Sequence, residues 1–302
     1  MPLLVDVEAV LDGVVLEVGD ESGDVDGCQL SGRLRSTTSD RAGCVHGPPA
    51  YRPPSAEAAS PSGGRPPGSV LGVHDRDLLA ACRRAVAAVE ARLAEVTDRG
   101  LVPGSASQHV SDLAADAAAV EVLDVAGLGV LSEESGAHHL DRGLVAVLDP
   151  LDGSTNAHRG VPWYATSICV FDERGPRAAV VRNLASGVTW TATRGGGAWR
   201  EGRPEPLRAS GCAELGRSLV GLSGYPSRHY GWGQFRALGA AALDLCAVAE
   251  GALDGYADAT AGEHGVWDYA GGWLVCLEAG AVVVDAAGRD LGVLDHTARR
   301  AP

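Results

Sequence analysis

Two carboxylates three residues apart follow an unbroken apolar run in the middle of the chain. Residues 144–148 are all apolar, and Asp149 and Asp152 come directly after them. Such a run predicts a buried strand, and a carboxylate beside a buried strand needs a positive partner. The next arginine along the chain is Arg159, so a bound cation is the candidate partner. Mg²⁺ takes oxygen ligands of this kind.

The residues that follow these carboxylates are small and rich in hydrogen-bond donors. Gly153, Ser154 and Thr155 can turn their backbone N–H groups toward an anion, as loops that open a helix do. A cation site beside an anion site indicates phosphate chemistry. The alternative is that Asp-Pro-Leu-Asp-Gly only forms a capped turn, which is a common use of these residue types.

Two further acidic segments lie on either side of this motif in the sequence. Glu133 and Glu134 follow the short apolar segment 127–131. Asp268 follows Trp267 and precedes an apolar run that ends in Glu-Ala-Gly. Three acidic segments in this order favour a metal site over a single turn.

The three segments together resemble the metal-binding signatures of the inositol monophosphatase family, whose superfamily also holds fructose-1,6-bisphosphatase. The resemblance runs from Leu71 to the C-terminus. It implies an α/β (α+β) fold built as a layered αβαβα sandwich. It also implies a Mg²⁺-dependent phosphomonoesterase, in which water attacks the phosphate of a small-molecule phosphomonoester directly.

The resemblance assigns metal ligands position by position. One Mg²⁺ is expected on Glu133, Asp149 and the carbonyl of Leu151, and a second on Asp149, Asp152 and Asp268. A carboxylate shared by two ions suits a phosphoryl displacement, because the ion pair contacts both the attacking and the leaving oxygen.

The same resemblance assigns catalytic and substrate-binding roles. Ser154, where the family commonly has Thr, is expected to orient the attacking water with help from Asp116. Glu133 is expected to have a catalytic role as well, since it would help to hold a loosely bound third ion. The backbone N–H groups of Gly153 and Ser154 are expected to bind the phosphate. The residues expected to contact the rest of the substrate are Asp152, Gly239, Ala241 and Asp258.

Several positions depart from the family pattern. Leu113 stands three residues before Asp116, where the family usually has Thr. The segment from Asp258 to Asp268 is about three residues longer than usual, and the connection from Tyr225 to Phe235 is shorter. These changes border the substrate pocket, so the sequence leaves the substrate open.

Thr155 favours one branch of the family over others. Relatives that act on histidinol phosphate or 3′-phosphoadenosine 5′-phosphate often have Lys at this position. We therefore expect a polyol or sugar monophosphate such as inositol 1-phosphate. The alternatives are fructose-1,6-bisphosphatase, histidinol-phosphatase or 3′-phosphoadenosine 5′-phosphate phosphatase activity, or a non-catalytic homologue that binds a phosphorylated ligand.

Composition bounds the partners and the compartment. The 302 residues carry a formal charge of −14 and no lysine, which argues against nucleic acid and anionic membranes as partners. The seven cysteines form no Cys-x-x-Cys pair, as is typical of a reducing cytoplasm. The N-terminus has no basic segment of a signal peptide, and no apolar run reaches the ~18 residues of a membrane span. The resemblance adds an expected homodimer.

Hydrophobic patterns predict the order of the elements. Residues 1–70 are rich in Pro, Gly and Ser and are expected to be a disordered extension, with the catalytic domain at 71–302. His158 is expected at the surface. The predicted helices are 75–97, 111–123 and 238–251, and the predicted strands are 166–171, 178–181, 188–192 and a segment within 274–285, with a turn at 195–199.

Overall fold

The structure is a computed structural model that describes residues 72–97, 100, 109–260 and 262–302. The extension predicted at residues 1–70 therefore lies outside the described residues, and its disorder remains a prediction. Within the described ranges, no helix is long and apolar enough to cross a membrane.

Ten strands form two sheets among the described residues. The larger sheet has the order β2-β1-β3-β4-β5-β6-β7, and the smaller one β10-β8-β9. In the larger sheet β1 and β3 are parallel and every other pair is antiparallel. The strands are β1 (Gly129–Ser132), β2 (Gly136–His138), β3 (Val145–Asp152), β4 (Ala165–Asp172), β5 (Gly175–Asn183), β6 (Thr189–Thr193), β7 (Gly197–Arg200), β8 (Leu219–Gly224), β9 (Gln234–Arg236) and β10 (Gly255–Ala259).

The α-helices of the described ranges lie between or beside these strands in the chain. They are α1 (Asp75–Glu95), α2 (Val110–Val125), α3 (Ser154–Arg159), α4 (Ala241–Ala249) and α5 (Val266–Glu278), with a 3₁₀ turn at Leu215–Arg217.

The larger sheet is buried on both faces by helices. Helices α1 and α2 cover one face, where alternate residues of the central strands such as Leu148 and Ile168 are fully buried. Helices α4 and α5 cover the other face, against Val147 and Cys169. All eight residues of β3 are buried as a result, which confirms the strand predicted before Asp149.

The smaller sheet extends the layering beyond α4. Its strands are all parallel, and Leu219 and Tyr256 pack against the core that contains α4 and α5. The remaining apolar cluster of this sheet is centred on Val220, Leu222 and Trp232. The layered α/β architecture is therefore confirmed.

Most predicted elements are present with shifted ends. The helices at 75–97 and 111–123 and the three strands before residue 193 are confirmed, and the helix at 238–251 is shorter. The strand predicted within 274–285 is wrong, because Val266–Glu278 is helical. This helix is buried on nearly every side, so its apolar run carries no helical period. The turn at 195–199 ends earlier than predicted, because β7 begins at Gly197.

Candidate active site

The end of β3 places two of the predicted ligands beside each other. Asp149 lies opposite Ser167 of β4, whereas Asp152 lies opposite Ala165, with a register shift between them. Such an irregularity re-aims side chains at the end of a strand. Gly153 follows with φ of 79°, and a Cβ there would lie 3.0 Å from the carbonyl oxygens of Gly239 and Trp163. Only glycine meets both requirements.

Backbone hydrogen bonds hold both carboxylates. Asp149 is buried, and its Oδ1 accepts a 3.0 Å bond from the N–H of Leu151. Asp152 is also buried, and its Oδ2 accepts a 2.8 Å bond from the N–H of Ala242. Each of the two side chains is therefore fixed by the main chain around it.

Glu133 and Asp268 reach the same region from other elements. Glu133 follows β1, which is parallel to β3, and its N–H donates a 3.1 Å bond to the carbonyl oxygen of Leu148. Asp268 lies in the first turn of α5, where its Oδ2 accepts a 2.6 Å bond from the N–H of Gly265. The N-terminal end of a helix favours a negative side chain.

One cavity of about 430 Å³ joins these elements. Its walls include the acids Glu133, Asp152 and Asp268 and the small residues Gly239 and Ala241. The sequence predicted all five of these residues for the site. The cavity also has a wall that the sequence did not predict, formed by Glu263, His264 and Arg299.

Burial and mutual repulsion dominate the electrostatics of the acids. Burial, together with the negative charge of Asp268, raises the pKa of Glu133 to about 8. Burial also raises the pKa of Asp268 to about 6. The pKa values of Asp149 and Asp152 lie well above the usual range for the same reason, with further repulsion from the neighbouring acids.

Protein cations compensate this group only in part, since His264 and Arg299 lower the pKa of Asp268 against the larger effect of burial. None of the ion pairs within the described ranges involves Glu133, Asp149, Asp152 or Asp268. Uncompensated buried carboxylates are costly, and their oxygens are the ligands that Mg²⁺ prefers. The donor set therefore fits a hard divalent cation.

A family model decides which family this constellation represents. The model described as "Inositol monophosphatase family" matches residues 100–301, and this range contains all of the acids above. The chain belongs to the inositol monophosphatase family. This is a family of phosphatases, so the phosphatase class predicted from the three acidic segments is confirmed.

Individual members of the inositol monophosphatase family show the extent of the likeness. The chain is 34% identical to a fructose-1,6-bisphosphatase/inositol-1-monophosphatase of Archaeoglobus fulgidus over 222 residues, which cover 72% of this chain and 85% of that protein. It is 36% identical to Nus factor SuhB of Salmonella typhimurium over 177 residues, 53% of this chain and 63% of that protein. The solved inositol monophosphatase of Anabaena (Nostoc) superposes with a TM-score of 0.62 at 27% identity, covering 75% and 90% of the two chains.

Asp116 was expected to help Ser154 orient the attacking water, but its carboxylate contacts another residue. It is buried in α2, and its Oδ1 accepts a short hydrogen bond from the Ser132 hydroxyl. Ser132 directly precedes Glu133, so this contact fixes the end of β1. The acid of α2 whose charge helps to raise the pKa of Glu133 is Asp112.

Asp258 is likewise tied to another side chain. Its Oδ2 lies 2.9 Å from Nδ1 of His264. Burial alone would raise the pKa of Asp258, but the hydrogen bonds from His264 and Thr260 outweigh it and lower that pKa. The same contact raises the pKa of His264 against the effect of burial. His264, rather than Asp258, lines the cavity.

Sequence reasoning missed Asp112, His264 and Arg299. Asp112 lies one helical turn before Asp116, so the spacing of acids on one helix face could have identified it. His264 and Arg299 carry no comparable signal, because the fold alone brings them to the cavity.

Proposed function

We propose that the protein is a Mg²⁺-dependent phosphomonoesterase that hydrolyses a small polyol or sugar phosphate, with inositol 1-phosphate as the preferred substrate. The observation that carries this proposal is a group of four carboxylates that enter none of the ion pairs of the described residues. Asp149 and Asp152 are buried, whereas Glu133 and Asp268 are half-buried and line one cavity with Asp152. The name of the Archaeoglobus fulgidus relative includes both inositol-1-monophosphatase and fructose-1,6-bisphosphatase, so it supports a polyol or sugar phosphate without separating the two substrates.

In this proposal each acid has the role assigned from the family motif. Glu133, Asp149 and the carbonyl of Leu151 would hold one Mg²⁺, and Asp149, Asp152 and Asp268 a second. When bound, the ions supply positive charge that stabilises the phosphoryl oxygens and lowers the pKa of water. Burial and the charges of the other three acids raise the pKa of Asp149, so it lies close to each of them, which suits a ligand shared by two ions.

The chain itself binds the phosphate and positions the nucleophile. Gly153 directly precedes α3 in the left-handed conformation, so its N–H and that of Ser154 lie at the start of the helix, where anions are favoured. The Ser154 hydroxyl would accept a hydrogen bond from the attacking water and so orient it. Asp116 would support this arrangement indirectly, because it holds the strand end that precedes Glu133.

The walls of the cavity support a compact polar substrate. A volume of about 430 Å³ lies within the range of small-molecule sites. Gly239 and Ala241 leave room for a ring, and Asp152 would accept a hydrogen bond from a ring hydroxyl. Asp258 would act through His264, which it holds in place.

The test is phosphate release with Mg²⁺ from inositol 1-phosphate, fructose 1,6-bisphosphate, histidinol phosphate and 3′-phosphoadenosine 5′-phosphate. Asp152→Asn should lower turnover by on the order of 100-fold or more. Asp141→Asn, which changes an exposed aspartate before β3 in the same way, should retain it. Metal-dependent turnover with inositol 1-phosphate preferred supports the proposal. A folded protein that binds Mg²⁺ but releases no phosphate contradicts it and favours a non-catalytic role.

A second candidate is fructose-1,6-bisphosphatase activity, which the positive wall of the cavity favours. Arg299 and His264 face the same space as the acids, and they could bind the second phosphate of a bisphosphate. In that case Arg299→Ala would lower kcat/KM for fructose 1,6-bisphosphate more than for inositol 1-phosphate. Equal losses on both substrates would argue against this candidate.

Assembly and compartment are part of the same proposal. We expect a homodimer, which light scattering on the purified protein would test against a monomer. We also expect the cytoplasm as the compartment, and the free thiols of the described cysteines, such as Cys169, Cys246 and Cys276, support a reducing one. Localisation of a tagged chain would test this.

A further inference from the structure

Two histidines and an aspartate meet at the junction of α2 and α3, outside the cavity described above. His109 precedes the first residue of α2, Asp112 lies in its first turn, and His158 lies in the last turn of α3. Among the described residues, these three are the one group whose ligand atoms all lie within 4.8 Å of one another.

The side chains of this group leave ring nitrogens without hydrogen bonds. Nδ1 of His109 and Nδ1 of His158 are both buried and have no hydrogen-bond partner. The two rings stack with their centroids 3.7 Å apart, whereas two imidazoles on one tetrahedral ion have centroids about 5 Å apart, so a shared ion would have to part the rings. Buried ring nitrogens without partners are costly, so this arrangement calls for a further ligand.

A relay of hydrogen bonds fixes which nitrogen of His158 is free. The Ser111 hydroxyl donates a 3.0 Å bond to Oδ1 of Asp112. Its oxygen therefore accepts from Nε2 of His158, which lies 3.1 Å away. A neutral imidazole that donates through Nε2 presents Nδ1 as an acceptor. This is the outer hydrogen bond that orients metal-bound histidines in general.

One distance within the group matches that of a metal site. Nδ1 of His109 lies 3.4 Å from Oδ2 of Asp112. Two ligand atoms that are each about 2.1 Å from a tetrahedral zinc ion lie about 3.4 Å apart. Oδ2 of Asp112 also accepts a 3.2 Å bond from the N–H of His109, and one of its lone pairs remains for a metal.

We propose that Nδ1 of His109, Oδ2 of Asp112 and Nδ1 of His158 bind one divalent transition-metal ion, with Zn²⁺ as the best match. Imidazole ligands favour zinc and its neighbours over magnesium, so this site is selective in the opposite sense to the acid cavity. Ser111 and His158 also line a second cavity of about 240 Å³, which shares no lining residue with the first and provides a path for the ion.

A bound ion would link the start of α2 to the end of α3. Helix α3 begins two residues after Asp152, so the linkage would steady the segment that carries the proposed phosphate-binding N–H groups. The alternative is that the three side chains have no affinity for metals. Asp112 would then only stabilise the start of α2, by accepting the hydrogen bond from the N–H of His109.

The experiment is a Zn²⁺ titration of the chelator-stripped full-length protein, with a chromophoric chelator as competitor and Mg²⁺ in excess. We expect one tightly bound equivalent. His158→Asn and His109→Asn should each weaken Zn²⁺ binding by at least about 10-fold, and Ser111→Ala should weaken it less. His74→Asn is the matched control, because His74 precedes α1 as His109 precedes α2 but is exposed.

Two further measurements distinguish loss of Zn²⁺ binding from loss of the fold. Thermal unfolding of each variant in chelator separates loss of the site from loss of the fold, and Asp112→Asn gives a second route if a histidine variant misfolds. Asp152→Asn should leave Zn²⁺ binding intact. The proposal is overturned if no tight equivalent binds, or if Asp152→Asn removes Zn²⁺ binding while His158→Asn preserves it.

Discussion

The backbone N–H of Ala242 donates a 2.8 Å hydrogen bond to Oδ2 of Asp152. Ala242 is the second residue of α4, where backbone N–H groups have no partner within the helix. A carboxylate from the end of β3 therefore caps a helix from the other side of the core. The position of Asp152 in the cavity is set by both elements at once.

Two substitutions of Asp152 separate the effect of its negative charge from the effect of its exact position. Asp152→Asn keeps the shape and can still accept from Ala242, so we expect a folded protein with activity reduced by on the order of 100-fold or more. Asp152→Glu keeps the charge but is one methylene too long for the same bond. We expect a comparable loss of activity together with lower thermal stability. Near-normal activity of either variant would remove Asp152 from the metal site.

The raised pKa values of the acids predict how the metal-free protein responds to pH. The pKa of Glu133 is about 8 in the folded protein, against about 4.3 for an unperturbed glutamate. The folded state holds a proton that the unfolded state releases between these values. Stability from this group is therefore complete below about pH 4 and is lost as the pH rises toward 8.

Thermal unfolding between pH 5 and 8.5 would measure this effect. In chelator the Tm should fall across the range, and Asp268, with a pKa of about 6, contributes in the same direction. With saturating Mg²⁺ the fall should be removed or reversed, because the ion requires ionised ligands. A metal-free Tm that rises toward pH 8 would contradict the assignment of repulsion among these acids.

Asp244 provides a pH prediction for a buried acid that is not itself a proposed ligand. It is fully buried in α4, with Oδ1 accepting a 2.8 Å bond from Nε1 of Trp163 and Oδ2 without a partner. Burial raises its pKa to about 7. Asp244→Asn keeps the bond from Trp163 and removes the cost of ionisation. We expect the variant to gain stability relative to wild type as the pH rises from 5 to 8.5, on the order of 2 kcal/mol at the alkaline end.

Urea unfolding of both proteins at the two pH values would provide the comparison. A stability difference that does not change with pH would show that Asp244 does not titrate in this range. The exposed change Asp141→Asn serves as a control for nonspecific charge effects.

Substitution of Asn156 is expected to weaken substrate binding, because Asn156 holds the main chain beside the cavity. Its Nδ2 donates 2.7 Å hydrogen bonds to the carbonyl oxygens of Trp163 and Leu238. Leu238 directly precedes Gly239, a wall of the cavity. Asn156→Asp places a carboxylate against two carbonyl oxygens, which removes both bonds and adds repulsion. We expect destabilisation of about 2–3 kcal/mol and a higher KM, measured by urea unfolding and by initial rates.

Asn156→Ala separates the two effects. It removes the bonds without adding charge and should lie between wild type and Asn156→Asp in both measurements. Equal KM values for all three proteins would show that the Gly239 segment does not depend on Asn156.

The sequence was most informative where chemistry and local structure coincide. The run before Asp149 predicted β3 because a strand buried on both faces is uniformly apolar. Helix α5 was mistaken for a strand for the same reason, because burial on nearly all sides removes its period. Glu133, Asp152 and Asp268 were predicted from motifs, and the fold places them around one cavity. His109 and His158 could not be paired from sequence, since their contact depends on how α2 and α3 meet.

The close packing of α5 on the sheet restricts which residue can occupy position 271. A Cβ at Gly271 would lie 2.5 Å from Oγ of Ser167 and 2.8 Å from a methyl carbon of Val181. Gly271 lies one turn after Asp268, and Ser167 pairs with Asp149 in the sheet. The absence of a side chain at Gly271 therefore allows α5 to pack close to β4, and this close packing sets the distance between Asp149 and Asp268. A Gly271→Ala substitution would move Asp149 and Asp268 apart without changing any charged residue.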